Sequence, residues 1–248
     1  MELDEDLLPG PAPLSQKTWV DRAQALFEVL LLAGIASSLL AGLPFMFSAG
    51  GRESLLANVR AMSTYLLLEA FITFVLMLLV MKAHGETIQG LGLSWLSWRS
   101  NVVLGLGIVP VLFAFNIVVS VIFQVFFPRF FLERNPLTDL IRSPGDLGLF
   151  IGTALIAGGI KEEVQRAFIV RRFQAYLGGA NVGLLLWSVA FGFGHYVQGV
   201  QGMIAAGVFG LIFGMTYLAR GNLIAPMVAH GVYDTLALLS YWFFSTHR

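Results

Sequence analysis

The chain contains no cysteine. Disulfides and thiolate chemistry are therefore excluded, and any metal would have to be held by histidine and carboxylate side chains. Charge is also scarce: 12% of the 248 residues are Asp, Glu, Lys or Arg, against about 25% in soluble domains. Neither sign is in excess, with 15 basic and 15 acidic residues, so net charge gives no footprint for nucleic acid and none is expected as a partner. No internal repeat is present. What fills the sequence instead is apolar: 57% of residues are hydrophobic and the mean hydropathy is +0.78. The composition is that of a multi-pass integral membrane protein with the lipid bilayer as its surroundings, in the plasma membrane if the source is prokaryotic.

A spanning helix needs roughly 20 apolar residues. The apolar stretches are 24–47, 61–82, 101–127, 147–175, 180–197, 201–219 and 223–245. They predict an all-α fold, a polytopic transmembrane bundle of seven spanning helices. Residues 1–22, acidic at first and then rich in proline (Pro9, Pro11, Pro13), read as a polar tail without the positive n-region of a signal peptide. Residues 23–127 read as N-terminal transmembrane helices and 145–245 as a second group of membrane helices. Trp95 and Trp98 beside Arg99 suit a membrane interface.

Within this apolar background, a few polar residues stand where a charge costs at least about 2.5–3.5 kcal/mol at the bilayer centre. Lys161-Glu162-Glu163-Val164-Gln165-Arg166 follows Ala157-Gly158-Gly159-Ile160. Residues three or four apart share a helix face, so Arg166 reaches Glu162 or Glu163 but not both equally well. One carboxylate is then an ion-paired organiser and the other is free to act as a base. Alternatively, Lys161, Arg166, Arg171 and Arg172 simply mark a helix end. Phe191-Gly192-Phe193-Gly194-His195 ends another apolar stretch, its glycines allowing close backbone approach or a helix break. His230 and Asp234 lie one turn apart in the last stretch, as a donor oriented by a carboxylate, as two metal ligands, or as a local packing pair. Glu69, in the second stretch, is a secondary candidate that could pair with one of the site's basic groups. His84 and His247 sit beside span ends and read as solvated.

The order Glu-Glu…Arg, Phe-x-x-x-His, His-x-x-x-Asp resembles the CAAX prenyl endopeptidase type II and bacteriocin-processing family (CPBP, also called Abi) of intramembrane proteases, over residues 145–245. Phe191–His195 and His230–Asp234 fit the second and third motifs fully. The first motif departs from the family pattern Glu-Glu-x-x-x-Arg, because Arg166 comes one residue early. Aligned on Arg166, Lys161 takes the first glutamate's place. Aligned on the glutamates, Ala167 takes the arginine's.

The resemblance implies peptide hydrolysis by activated water in a membrane cavity, on a peptide or prenylated protein substrate, as CAAX-type or leader and bacteriocin processing. Glu162 or Glu163, with His195, would hold and activate the water. His230 and Asp234 would stabilise the oxyanion, and Arg166 would fix the paired carboxylate. In a metalloprotease version, Glu163, His195 and His230 are the candidate ligands of a zinc ion, which would lower the water's pKa to about 7. Two other readings are a proton-coupled membrane transporter and a non-catalytic immunity or scaffold protein of the same fold.

Overall fold

The computed structural model describes residues 17–47 and 55–246. Residues 1–16 of the expected tail and His247 lie outside that range. No strand occurs among the described residues, as an all-α chain requires. The tail is shorter than expected, because α1 (Trp19–Leu32) already starts at Trp19. Thr18 caps it by accepting from the Asp21 N–H at 3.2 Å, while Asp21 accepts from the Thr18 N–H at 2.8 Å. This reciprocal pair satisfies two of the helix's orphan donors and fixes its start.

The first apolar stretch is not one uninterrupted helix. It breaks between α1 and α2 (Ile35–Met46) at Gly34, whose φ of 94° is left-handed and favours glycine. The freed Leu32 carbonyl accepts from Gln165 Nε2 at 2.5 Å. Then follow α3 (Val59–Ala83), capped by Asn58, and α4 (Trp98–Phe126). Ser143 caps α5 (Pro144–Ala154), with Pro144 in the first turn where no N–H is needed. From α5 the chain runs without interruption through a π-helical segment (Leu155–Glu162) into α6 (Glu163–Tyr176). Next come α7 (Ala180–Gly194), α8 (Gly199–Arg220) and α9 (Ile224–Thr246).

Helices thus occupy all seven predicted stretches. Among the described residues, four are long and apolar enough to cross a membrane: Trp19–Met46, Val59–Ala83, Trp98–Phe126 and Tyr196–Arg220. A count of seven spans does not follow from length and composition, since Ala180–Gly194 is short and 155–176 carries the charged motif.

α9 packs on α4 and on the π-helical segment, and α7 packs on α8. The second contact depends on Gly192, where a Cβ would come within 2.7 Å of the Met203 carbonyl. Both uses foreseen for the glycines of the second motif occur, since Gly192 allows this approach and α7 ends at Gly194. The core around α6 consists of Val164, Ala167, Phe168, Ile169 and Val170, packed against Leu32, Met77 and Leu223. α6 is therefore buried on nearly every side, which explains why its polar residues must find partners inside the protein.

Candidate active site

The five candidate residues come from four places in the chain. Glu162 ends the π-helical segment and Glu163 opens α6. His195 follows the end of α7, and His230 and Asp234 lie on α9. The segment and α9 approach closely because Gly158 and Gly159 face α9. A Cβ on Gly158 would lie 2.9 Å from Asp234 Oδ2 and 3.4 Å from His230 Nε2, and one on Gly159 would lie 3.2 Å from the Cα of Gly231.

The two glutamates have different surroundings. Glu163 is 1% exposed. Its Oε2 pairs with the Arg166 guanidinium, and its Oε1 accepts from His230 Nδ1 at 2.8 Å. The sequence left open which glutamate the arginine takes, and it takes Glu163, at i, i+3. Arg166, also 1% exposed, lies over the rings of Phe191 and Phe213, 4.9 and 5.5 Å from their centroids. These cation–π contacts stabilise a desolvated guanidinium. Arg166 and Lys161 are therefore buried and paired, and do not mark a helix end at the surface.

Glu162 is half-turned to an open space. Its Oε1 lies 3.8 Å from Lys161 Nζ and its Oε2 lies 3.8 Å from His230 Nε2. Neither is a hydrogen bond.

His230 is held on three sides. Because Glu163 is paired with a cation, its oxygen can only accept, so His230 Nδ1 carries the hydrogen. Nε2 is then turned toward Glu162 and toward Asp234 Oδ2, 3.5 Å away. The imidazole stacks on Phe213, with centroids 4.8 Å apart. The carboxylate that orients His230 is thus Glu163, 67 residues away in sequence, and not the local Asp234. His195 is exposed to the same cavity. Its Nδ1 donates to the Phe191 carbonyl at 2.8 Å and its ring packs on Phe191 at 4.5 Å. Since a carbonyl only accepts, Nε2 is the free nitrogen. Among the described residues, His195 makes no hydrogen bond or ion pair with the other four.

Glu162, His195, His230, Asp234, Gly158 and Phe191 line one cavity of about 840 Å³. Glu163 and Arg166 lie behind its wall. The zinc trio expected from the sequence does not fit this arrangement, because both oxygens of Glu163 are taken by Arg166 and His230. Among the described residues, no three His, Asp or Glu side chains are grouped to hold a metal ion.

Sequence reasoning missed two contributors. Phe213 reads as an ordinary core residue of α8, and nothing in its spacing signals that it carries both His230 and Arg166. Gly158 was visible beside the motif, but its partner was not. Away from the site, His84 is exposed, as expected of a solvated residue, and also pairs with Glu28 at 2.6 Å.

A helical membrane protein with carboxylates and imidazoles gathered at one internal cavity has the architecture of an intramembrane hydrolase. The model of the family described as type II CAAX prenyl endopeptidase Rce1-like matches residues 143–236, a stretch containing all five candidate residues. Over that segment the chain resembles the CPBP family of intramembrane proteases, and the match supports CAAX-type protease activity in general terms. No curated protein and no solved structure matches the chain.

Proposed function

We propose that the protein is an intramembrane endopeptidase in which Glu162 is the general base. The observation that carries this reading is the division of labour between the glutamates: Glu163 is consumed by Arg166 and His230, while Glu162 faces the cavity without a hydrogen bond.

In the proposed cycle a water lies between Glu162 and the free Nε2 of His195. Glu162 takes one proton from it, and the water oxygen attacks the scissile carbonyl carbon. The carbonyl electron pair moves to oxygen, where His230, as an imidazolium with hydrogen on Nε2 as well as on Nδ1, donates from Nε2 to the developing oxyanion. Preorganised donors of this kind contribute about 10²–10³ in rate. Asp234 completes that side of the cavity and donates to the oxyanion only when protonated. Collapse of the tetrahedral intermediate breaks the C–N bond, and the proton on Glu162 passes to the leaving amine. Arg166, Glu163, Phe191 and Phe213 keep His230 in place and touch no reacting atom. A prenylated peptide and a leader peptide both suit a cavity of this size and mixed lining.

The test is incubation of the protein in detergent with a pooled library of prenylated and unprenylated peptides, with new termini read by mass spectrometry. Wild type should cleave, and both Glu162→Gln and His195→Ala should not. Cleavage by all three would mark a contaminant. No cleavage by wild type, together with proton flux into proteoliposomes that depends on Glu162, would establish the transporter reading instead.

A further inference from the structure

Lys161 and Glu69 form a buried ion pair outside the chemistry just described. Lys161 Nζ lies 2.8 Å from Glu69 Oε2, and the two side chains are 8% and 6% exposed. Glu69 is on α3, outside the segment that matches the protease family. Its second oxygen accepts from Ser37 Oγ of α2 at 2.8 Å and from Thr73 Oγ1 at 3.1 Å. The same Ser37 hydroxyl lies 3.1 Å from the Gly34 carbonyl at the α1–α2 break, so its one hydrogen is shared between the two acceptors. Glu69 is therefore tied through both oxygens, and it holds the ammonium at one point.

That point is beside the base. The same Nζ is 3.8 Å from Glu162 Oε1, on the side opposite His230 Nε2. Lys161 is not among the residues lining the cavity, so it cannot reach substrate. At 3.8 Å an ammonium attracts a carboxylate without clamping it: the charge favours one orientation, while both oxygens remain available to a water. A partner at hydrogen-bond distance would compete with that water, as Arg166 does at Glu163. A lysine in this place would be an unneutralised buried charge without Glu69, which accounts for an acid in the middle of α3.

We propose that Lys161, anchored by Glu69, Ser37 and Thr73, is a positioning residue that aims the Glu162 carboxylate into the cavity, so that the N-terminal helices set the geometry of the base. This rests on the assignment of Glu162 as base.

Two readouts test it. The first is a thermal double-mutant cycle of Lys161→Met and Glu162→Gln on the full chain in detergent. The Tm shifts should fail to add by about 2–4 °C, the size expected for coupled neighbours in a chain of this length. Additive shifts overturn the proposal, and this readout does not depend on cleavage. The second is steady-state cleavage by the double variant Lys161→Met/Glu69→Gln, which removes both buried charges and so avoids stranding an unpaired Glu69. Its kcat should fall by about tenfold to a hundredfold, as a misplaced catalytic group does, with KM within about twofold. Wild-type kcat in this variant would overturn the positioning role, and a change confined to KM would overturn it in favour of substrate binding. If wild type itself cleaves nothing, the endopeptidase reading fails while the thermal cycle still decides whether Lys161 holds Glu162.

Discussion

At the scale of single residues, the site separates two glutamates adjacent in sequence by what each touches. Glu163 belongs to a buried lattice with Arg166 and His230, and breaking a buried pair by removing one partner costs about 3–5 kcal/mol. Glu163→Gln is therefore expected to lower Tm by roughly 2–4 °C for each kcal/mol lost, as read by thermal unfolding in detergent. Glu162→Gln removes no hydrogen bond among the described residues, so its Tm should stay near wild type while kcat falls about 10²–10⁴-fold, the range of general-base catalysis. The reverse pattern, with a stable, inactive Glu163 variant and an active Glu162 variant, would exchange their roles. The engagement of both Glu163 oxygens also bears on metal dependence. Cleavage is expected to survive incubation with a zinc chelator within about twofold, on the glutamate reading of the base. Loss on chelation with return on added zinc would require Glu162 and His230 to act as ligands.

At the scale of elements, the site depends on how closely the π-helical segment lies against α9. π-helical turns are frequent at functional sites, and here the segment ends at Glu162, the proposed base. Gly158 leaves the volume in which Asp234 and His230 sit. Gly158→Ala would place a methyl 2.9 Å from Asp234 Oδ2, against the end of a side chain and not against backbone, so the carboxylate yields before the helices do. We expect Tm close to wild type and a loss of kcat of about tenfold or more, read by unfolding and cleavage on the same preparation. The rings of α7 and α8 play a complementary part. Phe191 gives the aromatic four residues before His195 a physical role, since its ring packs at a tilt against that histidine and covers Arg166.

At the scale of the whole molecule, two ion-pair ties among the described residues bind the N-terminal helices to the segment that matches the family model. One is Glu69 with Lys161. The other is Arg172, which pairs with Glu28 of α1 at 2.6 Å and with Glu86, after α3, also at 2.6 Å. Arg172 and Glu28 are each 5% exposed, so this tie is screened little by solvent. Arg172→Met should destabilise the protein by about 3–5 kcal/mol, while the folded fraction keeps its kcat, because no atom of this cluster lines the cavity. Urea unfolding in parallel with cleavage per folded molecule checks both parts, and a kcat that falls while stability holds would show that the tie acts on the site.

The sequence by itself determined the solvent and the place of the candidate site. An apolar chain with little charge must span lipid in helices, because unpaired backbone groups are costly there, and the few polar residues left in that setting were legible as the candidate site. Periodicity along one helix also required that Arg166 take one glutamate and release the other. The tertiary structure decided which one. That choice depends on His230 arriving from α9 to occupy Glu163, on Phe213 and Phe191 covering the guanidinium, and on Glu69 drawing Lys161 toward Glu162. These are contacts between residues distant in sequence, and local spacing constrains only neighbours on the same helix face. The break at Gly34 and the π-helical turns were hidden for the same reason: the partners that stabilise them, Gln165 and α9, belong to other parts of the chain.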